Sequence, residues 1–87
     1  MNWQEVLQQS RDEAVVGRQR AVAERARAEQ CAAEAMVAAD LDSGVLWVMR
    51  AMQQRSAASS SDAAAETNDR IGDHAERVLI ASASPGQ

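Results

Sequence analysis

The sequence predicts an all-α fold, a long antiparallel helical hairpin of two helices of about 38 residues each, of the kind that assembles into a four-helix bundle or coiled coil. Three observations predict it. Ala, Glu, Gln and Arg, all good helix formers, dominate the chain. Asp40, Asp42, Ser43 and Gly44 make a single central cluster of turn formers, and the one Pro stands at position 85. Along the first arm, Trp3, Leu7, Ser10, Ala14, Gly17, Ala21, Ala28, Cys31, Ala35 and Ala38 follow alternating spacings of four and three, interrupted at Glu24. That is a heptad seam with occupants small enough for two backbones to approach closely.

The first helix is expected over residues 2–39. Asn2-Trp3-Gln4-Glu5 has the form of a capping box, Asn2 accepting from the Glu5 amide and Glu5 reaching back. A turn follows at 40–44, with Asp42 or Ser43 capping a second helix over 44–81. The Ser-rich stretch within residues 55–69 is the weak point: it continues the helix, or it loops and lets Asp62 cap a third helix. Residues 1–81 thus form one domain, and 82–87, with Pro85 and Gly86, read as a flexible tail. A bend at 41–44 sets residue i opposite residue 85 − i. This pairs Leu7 with Val78, Ala14 with Ile71, Ala21 with Ala64, Ala28 with Ala57 and Met36 with Met49.

Composition narrows the function. Apolar residues make up 46% of the chain, yet nearly half of them are Ala, and Phe and Tyr are absent. Since burial stabilises in proportion to the apolar area removed from water, a monomer with such a core is marginal. A net charge of −4 argues against non-specific binding to nucleic acid or anionic membranes. All nine basic residues are Arg, which points to a GC-rich bacterial genome. One cysteine makes no internal disulfide and fits a cytoplasmic setting. No run approaches the roughly 20 apolar residues that span a bilayer, and the N-terminal stretch lacks a signal-peptide pattern. Export by a non-classical route that reads folded helices stays open.

Candidate chemistry is sparse. Asp73, His74 and Glu76 fall on different helical faces and do not converge as metal ligands; Asp73 with Arg77 and Glu66 with Arg70 read as ion pairs along a solvated helix. Cys31 has no activating neighbour and reads as a small buried residue. Arg11, Arg18 and Arg25 recur every seven residues, and read as an interhelical edge whose guanidiniums meet carboxylates of a partner. No phosphate loop, zinc spacing or nucleophile motif occurs. The expectation is therefore a non-enzyme without cofactor, metal, small-molecule substrate or nucleic-acid ligand.

Val45, Leu46, Trp47, Val48 and Met49 are consecutive and cover the whole helix circumference, more than one neighbouring helix can bury. With Val45, Met49 and Met52 facing the first arm, Trp47 points away beside Ala51. Trp47 then anchors another chain, or else folds back over the bend to cap the hairpin. The expected partner-binding residues are Val45, Leu46, Trp47, Val48, Met49, Ala51 and Trp3, and the expected function is an interaction or assembly subunit pairing with itself or a helical partner.

A helical hairpin of under 100 residues with a Trp beside its central turn resembles the WXG100 family of type VII secretion substrates, which pair as four-helix units. The resemblance implies an alternative role, a small secreted helical-hairpin effector. Two features depart from that family: Gly44 precedes Trp47 instead of following a Trp, and a chain without Tyr cannot carry the family's Tyr-containing export motif.

Overall fold

The computed structural model describes residues 1–83; the expected tail, apart from Ser82 and Ala83, lies outside the described residues. Two helices, α1 (Trp3–Val37) and α2 (Leu41–Ser82), pack antiparallel along their whole length, with no strand among the described residues. The hairpin measures 72 × 17 × 12 Å. The Ser-rich stretch is continuous helix, so neither a loop nor a third helix forms there. Ala on both sides of the serines, with Gln53 and Gln54 before them and Glu66 after, keeps the helix going, and Ser61 spends its hydroxyl on the opposite helix instead of on its own backbone.

Local chemistry sets the helix ends. The Asn2 side chain accepts from the amides of Gln4 at 3.0 Å and Glu5 at 3.3 Å, while the reciprocal contact from Glu5 does not form. The bend is shorter and earlier than the sequence suggests, occupying residues 38–40. Ala38 turns extended at ψ 136°, and Asp40, itself extended, caps α2. The Asp40 carboxylate accepts from the Ser43 amide at 2.8 Å and its hydroxyl at 3.1 Å. Leu41 to Gly44 therefore form the first turn of α2, not the loop. These hydrogen bonds hold the Asp40 carboxyl below its ordinary value.

The pairing of the two helices is shifted as well, by about three residues from the expected 85 − i. Close approach of Gly17 to Ala65, where an added Cβ would lie 3.1 Å from the Ala65 methyl, fixes the register near i with 82 − i. The buried seam consists of Ser10, Ala14, Gly17, Ala21 and Ala28 against Ala51, Ala58, Ala65, Gly72 and Ala75. The first-arm seam is as expected, but its α2 partners are Ala58 and Ala65 in place of Ala57 and Ala64, and Ile71 and Met49 face outward. Both helices carry an unbroken alternation of threes and fours. Glu24 completes it in α1: half-buried and level with Ala58, it accepts the Ser61 hydroxyl at 2.7 Å. The buried Ser10 hydroxyl donates to the Val6 carbonyl at 2.7 Å, so the narrow core leaves no buried side-chain polar group unpaired among the described residues.

Candidate interaction surface at the bend

The seam is made of methyl groups and glycines. No large side chain is fully buried among the described residues: Trp47 near the bend and Trp3, Leu7, Val78 and Leu79 at the open end are half-buried, and most other bulky apolar residues are exposed. The exposed ones concentrate at the bend. Met36 is 88% exposed, Leu41 81% and Met49 54%, with Val37, Val45, Leu46, Val48 and Met52 exposed around them. A groove of about 540 Å3 opens among them, lined by Ala35, Ala38, Leu41, Gly44, Val45, Val48 and Met49.

The sequence places these residues correctly at one locus but rotates them wrongly about α2. With the register near 82 − i, it is Gly44, Trp47 and Ala51 that face α1, while Val45, Met49 and Met52 face outward. Ala51 is buried in the hairpin's own seam. Trp47 is half-buried and opens onto a groove of about 690 Å3 together with Arg27, Cys31, Glu34 and Gln54. The Arg50 guanidinium lies 4.8 Å from its ring centroid, a cation–π contact that covers part of the indole. Trp47 thus neither points away from α1 nor caps the tip. Cys31, expected buried, is half-exposed beside it. Trp3, at the other end, is half-buried and meets the edge of His74, with centroids 5.5 Å apart at 71°. Leu46 and Val48 are exposed.

One long edge of the hairpin is closed by charge. Arg11 donates to Asp73 at 2.9 Å and Glu76 at 3.3 Å and lies 3.6 Å from Asp69; Arg18 bonds Asp69 and Arg25 bonds Asp62. The carboxylates expected on a partner are on the chain's own second helix. Asp62, Asp69 and Glu76 recur every seven residues just as the arginines do, a complementary repeat that the sequence displays. Gly72 makes room for the Arg11 guanidinium, which would sit 3.1 Å from an added Cβ. Hydrogen bonding from Arg18, with Arg11 nearby, holds the Asp69 carboxyl below its ordinary value. Glu66 and Arg70 pair at 2.7 Å as expected, whereas Asp73 takes Arg11 in preference to Arg77.

The described residues hold no group of three His, Cys, Asp or Glu placed to bind a metal ion, and no helix long and apolar enough to cross a membrane. The molecule is of the class of two-helix hairpins, with a small-residue seam and a large-residue bend. No protein-family model, curated protein or solved structure matches the chain.

Proposed function

We infer that this chain is a non-enzymatic assembly subunit whose bend is covered, in its working state, by a second copy or by another helical protein. The carrying observation is the inversion of side-chain size: Ala and Gly fill the inside while Met, Val and Leu stand outside at one end. The exposed area agrees with it. The chain exposes 6288 Å2, whereas a compact protein of this mass exposes about 5,000 Å2. That excess is comparable to the surface a specific protein complex hides. Met and Val side chains without neighbouring charge suit such a contact, and the two charges within residues 35–49, Asp40 and Asp42, flank it at the tip.

Sedimentation equilibrium of the purified chain, with circular dichroism at the same concentrations, tests this reading. Expected is a helical species that either self-associates or melts broadly and at low temperature when alone. A strictly monomeric, fully helical chain that melts sharply at high micromolar concentration would refute it, since such a molecule needs no cover.

A further inference from the structure

The face that bears the arginine ladder also carries the means to choose its occupant. Met36, Val45, Val48 and Met52 stand on it toward the bend, and just beyond them Glu29 and Arg55 stand at nearly the same height on opposite helices, lining one shallow groove. Arg55 occupies the next rung of the ladder after Asp62, but the α1 residue at that rung is Ala32. Among the described residues neither Glu29 nor Arg55 has an ion-pair partner.

We propose that this face docks on the same face of a second copy, the two hairpins lying side by side with their bends at the same end. A two-fold axis along the hairpin sets α1 of each copy over α2 of the other at equal height. Met36 then covers Val45 of the second copy, and Glu29 reaches Arg55 of the second copy, twice by symmetry. Self-pairing requires a patch that contains its own complement, and an uncharged centre bordered by one free anion and one free cation is such a patch. The area is also adequate. Half of a face 72 Å long and 17 Å wide is about 600 Å2 per copy, near the lower end of stable interfaces. Every neighbouring pair of helices in this arrangement runs antiparallel, as within the hairpin itself.

This inference rests on the assembly reading above, and the experiment separates the two. Dissociation constants are measured by sedimentation for the wild type, Glu29→Arg, Arg55→Glu and the double exchange, with small-angle scattering for shape. Each single reversal is expected to weaken the dimer about tenfold and the double exchange to restore it to within about threefold. The dimer's longest dimension should stay near the 72 Å of one hairpin. A dimer indifferent to both reversals, or one nearly twice as long, overturns this pairing while leaving the assembly reading intact. A wild type that is monomeric and poorly stable alone excludes the second copy and leaves a different helical protein as the occupant. A monomer that melts sharply removes both.

Discussion

The two halves of the hairpin solve the same packing problem differently. Toward the open end and middle, two backbones come close over Gly17, Ala21, Ala58 and Ala65, and three Arg rungs close one edge. Toward the bend the seam continues through Ala51 and Trp47, but Met and Val ride exposed on the outside. Charge follows the same division. Residues 1–17 and 65–83 hold three Arg and seven carboxylates, a side-chain balance of 3 − 7 = −4, while residues 35–49 hold only Asp40 and Asp42. The open half exposes large apolar groups too, Val15, Val22 and Ile80 among them, but they are spread along it, whereas eight are gathered within residues 36–52 at the bend.

The contrast is broken most severely by widening the middle. Gly17→Leu places a side chain where even a Cβ would be 3.1 Å from both the Ala65 methyl and the Ser61 carbonyl oxygen. A loss of about 3 kcal/mol is expected in urea unfolding followed by circular dichroism. Next comes Trp47→Ala, which removes a half-buried ring from the seam and should lower stability by about 2 kcal/mol. Met49→Asp, on the outer surface nearby, should leave monomer stability within about 0.5 kcal/mol. Equal losses at Trp47 and Met49 in a monomeric sample would erase the distinction between seam and patch. Asn2→Ala removes the cap of α1 and is expected to cost about 1 kcal/mol by the same unfolding assay.

The smallest effects belong to the ladder. Asp69→Ala should destabilise slightly in low salt, and the difference from wild type should vanish near 1 M salt as exposed pairs are screened. Acid acts in the same direction. The folded-state carboxyls of Asp69 and Asp40 lie below their ordinary value of 3.8. Their contribution is therefore complete above that value and is lost as pH falls through the lowered folded one. Melting temperature should be flat above about pH 5 and fall below it, and less so in Asp69→Asn.

Much of this was legible in the residues. The small first-arm seam from Trp3 to Ala38 is a matter of spacing alone, and the helices hold because Pro is absent and Gly rare within them. The ladder was half legible: Arg11, Arg18 and Arg25 stood out, but Asp62, Asp69 and Glu76 showed their role only once α2 was continuous and in register. The Ser-rich stretch hid that repeat, because serine is equally at home in loops and in tight helix contacts. Rotation of the bend was not legible. Asp40, Asp42 and Ser43 are all competent caps, and choosing Asp40 advances the turn and brings Trp47 inward.

The sequence by itself determined the helices, the narrow seam of α1 and the gathering of large apolar groups near the centre, since each follows from propensity and periodicity within one segment. Only the tertiary structure decided the register, the arginines' partners and which of Val45 to Met49 face outward. Those depend on the three residues of the bend, where the choice of one capping carboxylate shifts the pairing of every layer between the two helices.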